Sequence, residues 1–138
     1  MENKLEYYSR LEDEIIRTYK KAEDEETRNA VRMLMKEHEN KMFEQEPLDF
    51  YEVYQAYREA VENGNKYLDF DGTYTPERIR DYVKILKENG IKHFTYSSTW
   101  TNALQDAWEF ESAGAHLEKM TLTHWRGKDV PALKFTIE

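Results

Sequence analysis

Gly90-Ile91-Lys92-His93-Phe94-Thr95-Tyr96-Ser97-Ser98 is the stretch in which the apolar spacing of the chain changes from a period of 3.6 to a period of 2. Just upstream, Thr75-Pro76 marks a helix start, an N-cap followed by proline at the first helical position. Ile79, Tyr82, Val83 and Leu86 form the buried face of that helix, and Asn89-Gly90 ends it. From Ile91 onward Phe94 and Tyr96 alternate with Thr95 and Ser97, the signature of a short strand. Downstream, Ser97-Ser98-Thr99 leads into a second helix in which Ala103, Leu104, Ala107, Trp108 and Phe110 read as the inward face, closed at Gly114. Met120 and Leu122 then alternate with Thr121 and Thr123, Arg126-Gly127-Lys128-Asp129 turns the chain, and Leu133, Phe135 and Ile137 alternate to the end. Residues 75–138 thus read as helix, strand, helix, strand, strand. The first two strands, joined by a helix, are expected to be parallel with a right-handed crossover and the last two an antiparallel hairpin, making a three-stranded mixed sheet. Phe94, Tyr96, Met120, Leu122, Leu133, Phe135 and Ile137 are expected to be buried under the helix that carries Leu104 and Trp108.

Toward the N-terminus the period stays helical. Leu5, Tyr8, Leu11, Ile15, Tyr19 and Ala22 share one face. Beyond the acidic Asp24-Glu25-Glu26, Ala30, Val31, Leu34, Met35, His38 and Met42 continue the pattern to Pro47, either as one long helix or as an antiparallel pair. Asp49 reads as the cap of a further helix, with Phe50, Val53, Tyr54, Tyr57, Ala60 and Val61 on one face and Gly64 after its last turn. The expected class is α+β, a single domain over 1–138 with a helical part, 1–64, packed on an α/β part, 75–138.

Composition narrows the function. The chain has no cysteine, which removes disulfides, thiolate metal sites and cysteine nucleophiles. No stretch is apolar enough for a signal peptide or a membrane span, so the expected location is the cytoplasm, with no membrane partner. The net charge of -8 is lodged in residues 1–74, which hold 19 acidic against 11 basic residues, whereas residues 75–138 hold nine of each. Neither half carries the basic stripe that a nucleic-acid binder needs.

Leu68-Asp69-Phe70-Asp71-Gly72-Thr73 resembles the DxDGT signature of haloacid-dehalogenase-like phosphotransferases, in which the first aspartate is a nucleophile and the second a general acid. The preceding Asn63-Gly64-Asn65-Lys66-Tyr67 is not an apolar strand, and no later acidic pair supplies further metal ligands, so the expectation is a polar turn before Thr75 with no catalytic role. His38, His93, His116 and His124 are not spaced for one metal ion; even on one strand, His116 and His124 would stand roughly 27 Å apart. No metal and no cofactor are implied. The hydroxyls of Ser97, Ser98, Thr99 and Thr101 lie where a strand feeds a helix, a place suited to an anion, yet the same residues serve as helix caps. Thr99 or Thr101 is the expected cap, with a ligand site as the alternative. Tyr51 and Trp125 fall off the apolar faces and are candidates for an interaction surface.

The run from Gly90 to Ser98, followed by Leu104, Trp108, Phe110 and Gly114, resembles small uncharacterised proteins carried on mobile elements of gut Firmicutes, over roughly residues 75–138. The resemblance implies a compact helix-strand-helix-strand-strand unit, no assigned activity, and an accessory role in conjugation or in evasion of host defence. The expected function is that of a non-enzymatic interaction protein that binds another protein or its own copy. The alternatives are an acidic DNA mimic that occupies a host nuclease, and an enzyme centred on Asp69 and Asp71.

Overall fold

A computed structural model describes residues 2–138. The elements run α1 (Lys4–Lys21), α2 (Glu25–Gln45), α3 (Phe50–Asn63), β1 (Asp69–Phe70), α4 (Pro76–Glu88), β2 (His93–Tyr96), α5 (Ala103–Ser112), β3 (Ala115–Trp125) and β4 (Lys128–Ile137). The chain divides into two compact units, one ending at Tyr51 and the other spanning Glu52–Glu138, so the division falls in the first turn of α3.

In the first unit the two amphipathic segments form an antiparallel pair rather than one long helix. The break has a local cause: the Asp24 side chain accepts the Thr27 amide at 2.7 Å and starts α2 afresh. At the far end of the pair Glu46 accepts from the Tyr8 hydroxyl and the Lys4 ammonium, both at 2.8 Å, joining the start of α1 to the end of α2. Burial, reinforced by the Glu46 carboxylate, pushes the Tyr8 phenol up.

The second unit is built on a four-stranded sheet of order β1-β2-β4-β3. One strand more is present than the sequence suggested, because Asp69-Phe70 is a strand paired in parallel with β2 and not a polar turn. The parallel crossover therefore runs from β1 through α4 to β2. β2 and β3 do run in the same direction, as expected, but they are not neighbours: β4 folds back between them and pairs antiparallel with both. A tight hairpin turn joins β3 to β4. Arg126 and Gly127 have φ of 47° and 83°, the two positive values of a tight two-residue turn, and glycine supplies the second at no steric cost.

One sheet face is aromatic. Phe94 and Phe135 are cross-strand partners whose rings stack at 5.2 Å and 7°, and Phe70 stacks on Tyr82 of α4 at 5.1 Å and 9°. Phe110 of α5 packs on Phe70, Phe94, Tyr96 and Phe135, so α4 and α5 cover this face. On the opposite face Thr95 and Lys134 pair across the strands, and Lys134 reaches Glu118 at 3.1 Å. α3 lies against this side, where Ala56 and Ala60 approach Thr123.

Two expected burial assignments are corrected. Phe94, Tyr96, Phe135 and Ile137 are buried and Leu133 is half-buried, but Met120 and Leu122 are exposed. Leu104 and Trp108 point outward as well. The reason is the rotation of α5 about its axis, which is set by Asp106 and Phe110 one turn apart, both completely or nearly buried. The Asp106 carboxylate accepts the Tyr96 hydroxyl at 2.9 Å and the Tyr74 amide at 3.3 Å. Residues two positions before and after Asp106 must then face away from the sheet.

Removing the acceptor leaves the buried Tyr96 hydroxyl without this partner, which costs more than losing one neutral hydrogen bond. Asp106→Ala is expected to lower the unfolding free energy by about 2–3 kcal/mol and Tyr96→Phe by about 1 kcal/mol. Urea denaturation of the two variants checks this; equal and small losses would show that the carboxylate does not fix α5.

Candidate interaction surface and acidic hollow

The outward rotation of α5 creates a surface. Leu104 is 85% exposed, Trp108 68%, Met120 67% and Leu122 61%, and Leu117 is half exposed. The register places Leu117, Met120 and Leu122 opposite Phe135, Leu133 and Pro131, hence on the same sheet face as the aromatic core. This part of the hairpin continues the apolar face beyond the edge of α5, with no helix over it. Between α5 and the hairpin lies an open groove of about 460 Å³, with Leu104, Ala107, Met120, Pro131 and Leu133 among its walls. Isolated exposed apolar residues are ordinary; a contiguous face of this kind is a candidate interaction surface.

The hydroxyl residues meet this groove at one end. Ser97, Ser98 and Thr99 line it, while Thr101 is exposed outside it. The capping expectation is corrected: the N-cap of α5 is Asn102, whose side chain makes no capping hydrogen bond, and neither Thr99 nor Thr101 caps the helix. Ser98 Oγ accepts the Trp100 amide at 3.2 Å and so shapes the turn before the helix. Asn102 Oδ1 accepts instead from the Thr73 hydroxyl at 2.8 Å. Of the two aromatic candidates, Tyr51 belongs to the other unit, where its ring meets Phe43 at 4.7 Å. Trp125 ends β3 with the Arg126 guanidinium 4.7 Å from its ring centre.

The first of the four hydroxyl residues, Ser97, leads to a second feature. Ser97 Oγ donates to Asp69 Oδ2 at 2.5 Å and Thr95 Oγ1 donates to Asp69 Oδ1 at 2.6 Å, so both carboxylate oxygens of Asp69 are engaged from β2. Burial pushes the Asp69 carboxyl up to about 6, against the lowering effect of these two hydroxyls, and the charges of Asp71 and Glu59 add to the rise. Glu59 is raised in the same way, by burial first and then by Asp71 and Glu62. Glu52, Glu59, Asp69 and Asp71 line a hollow of about 280 Å³ whose lining has no basic residue. The lining offers no basic side chain that would itself hold an anion. Among the described residues no three His, Asp or Glu side chains are grouped so as to hold a metal ion. His116 and His124 each sit beside a carboxylate, Glu111 at 3.0 Å and Asp129 at 3.2 Å.

A family model described as a domain of unknown function, DUF7698, matches residues 52–137. The chain belongs to the DUF7698 family. The match begins at the residue where the second compact unit begins, so the DUF7698 domain is that unit: α3, the four-stranded sheet, α4 and α5. It reaches further upstream than residues 75–138, over which the resemblance was read. No curated protein and no solved structure matches the chain. Among the described residues no helix is long and apolar enough to cross a membrane.

Sequence reading missed Glu59 and Asp106 and assigned Leu104, Trp108, Met120 and Leu122 to the core. The signal for Asp106 was present: an acid between Ala103 and Phe110 on a segment whose Phe110 is inward must itself turn inward by helical spacing.

Asp69 gives a pH test. Its carboxyl holds a proton in the fold up to about pH 6, whereas its ordinary value is 3.8. The folded state therefore binds more protons in that window, and the stability contributed by the protonated carboxyl is lost as pH rises from about 4 to about 6. Asp69→Asn should melt a few degrees higher than the parent protein near pH 7.5 and about equally near pH 4. Thermal melts at both values decide it; parallel pH profiles would refute the buried-proton assignment.

Proposed function

We propose that this DUF7698 protein is a non-enzymatic interaction protein whose docking surface is the apolar face formed by α5 and the β3–β4 hairpin, and that it acts as an accessory protein of the mobile-element kind that the resemblance implies. The observation that carries the reading is the run of outward Leu104, Trp108, Met120 and Leu122 beside an open groove, on a domain whose core is otherwise filled by aromatic rings. Large exposed side chains of this kind, Trp above all, are those that anchor protein–protein interfaces.

The distribution of charge supports the same reading over the DNA mimic. In the helical unit Glu2 and Glu14 flank Arg10, Glu25 lies against Arg28 and Arg32, and Glu46 meets Lys4. Acids interleaved with bases in this way do not reproduce the unbroken rows of negative charge on a duplex.

A photo-crosslinking amino acid placed at Leu104 or Trp108, in the cell that expresses the protein, is expected to give a discrete protein adduct, whereas the same group at Lys84 on the exposed side of α4 gives none. Adding Met120→Lys should abolish the adduct while the circular dichroism spectrum stays unchanged. Equal crosslinking from all three positions, or none from Leu104 and Trp108, would defeat the reading.

A further inference from the structure

β3 is one margin of the sheet, eleven residues long, with no strand beyond it among the described residues. Its outward backbone groups are identified by what reaches them. The Asn65 side-chain amide donates to the His124 carbonyl and accepts its N–H, both at 2.9 Å, and the Glu111 carboxylate accepts the Leu117 N–H at 2.7 Å. These side chains occupy the open edge at two points. Strand alternation then turns the N–H and C=O of Leu122 and Met120 to the same open side as those of His124, inside a window with Asn65 at one end and Glu111 at the other. An unpaired edge of this kind is a template for another strand.

We propose that the occupant of the apolar face is a second copy of the chain, paired antiparallel along β3 about a two-fold axis at Thr121, so that Met120 of each copy lies opposite the partner's Leu122. The inference rests on the interaction reading above and names its partner. In this register outward residues meet outward residues, and Met120 and Leu122 each exchange both backbone hydrogen bonds with the other copy. Thr121 lies opposite its own counterpart and Lys119 opposite the partner's Thr123, so no like charges are opposed.

Directly opposed side chains share a sheet face, which puts the α5 helices of both copies on the same side, with Leu104, which shares the groove with Met120, facing toward the axis. At roughly 150 Å² for Leu and Met and about 250 Å² for Trp, the exposed parts of Leu104, Trp108, Leu117, Met120 and Leu122 amount to about 560 Å² per copy. That is some two thirds of the roughly 800 Å² that each partner gives to a standard interface, before the paired backbone and flanking residues are added. The closed product is a two-fold dimer with one continuous sheet of both copies.

Two measurements on the purified full chain test this. Sedimentation velocity at about 100 μM should give twice the 16.7 kDa chain mass. Leu122→Pro, which removes an outward N–H together with the Leu122 side chain but no hydrogen bond to β4, and Met120→Lys should both sediment as monomers with unchanged circular dichroism. Amide exchange followed by NMR should slow at Met120 and Leu122 by at least about tenfold between dilute and concentrated samples, and stay constant at Leu117 and His124. A monomeric parent protein overturns the proposal, as does a dimer whose Met120 and Leu122 amides exchange at a rate independent of concentration. A monomer that still crosslinks from Trp108 to a different protein overturns only the choice of partner and leaves the interaction reading standing.

Discussion

A buried carboxylate decides which side of one helix is presented to the outside. Asp106 sits in the first turn of α5 and accepts hydrogen bonds from β2, through the Tyr96 hydroxyl, and from the loop after β1, through the Tyr74 amide. A buried acid is costly unless its oxygens find donors, so α5 has little freedom to roll. Phe110 enters the aromatic core from the same face of the helix, and the two constraints agree. Leu104 and Trp108 are thereby forced out, against the pull of their own hydrophobicity. The position of the exposed face is a consequence of the interior, and not an accident of a loosely covered surface.

How much of this could be read from the residues depended on whether a single periodicity governed the segment. α4 was legible throughout, because Thr75-Pro76 at its start, Asn89-Gly90 at its end and the spacing of Ile79, Tyr82, Val83 and Leu86 all point to the same helix. The hairpin was legible as two alternating runs around Arg126-Gly127. α5 was not, since Leu104, Ala107, Trp108 and Phe110 offer two overlapping apolar stripes, and only a polar residue could choose between them. Asp106 chose the stripe that spacing alone would rank second. β1 was hidden for a different reason: two residues are too few to show alternation, and their strand character comes from pairing with Thr95 and Tyr96, far away in sequence. The acidic hollow was half legible, because Asp69 and Asp71 stand out in the sequence while Glu59 joins them only through the fold.

The DUF7698 domain and the helical pair before it are organised by different physics. The domain has a single aromatic core in which Phe70, Phe94, Phe110 and Phe135 touch one another across three strands and a helix. The helical pair buries a thin apolar seam of Leu5, Tyr8, Val31 and Met42, and adds caps at Asn3 and Asp24 and the polar clasp of Tyr8, Lys4 and Glu46 at its end. Of the net charge of -8, the helical part (residues 1–51, 14 acidic against nine basic) carries -5 and the domain (residues 52–138, 14 acidic against 11 basic) carries -3.

The other margin of the sheet has its own meaning. β1 is two residues long, and its partner β2 already takes one of its sides. A sheet with one long open margin and one vestigial margin has a valence of one. Once its long margin is satisfied, nothing remains on which a third chain can stack, and edge-to-edge growth terminates at the first step. Proteins with two open margins must guard both against runaway polymerisation. Here the brevity of β1 does half of that guarding, which frees β3 to keep its apolar side chains and its open window.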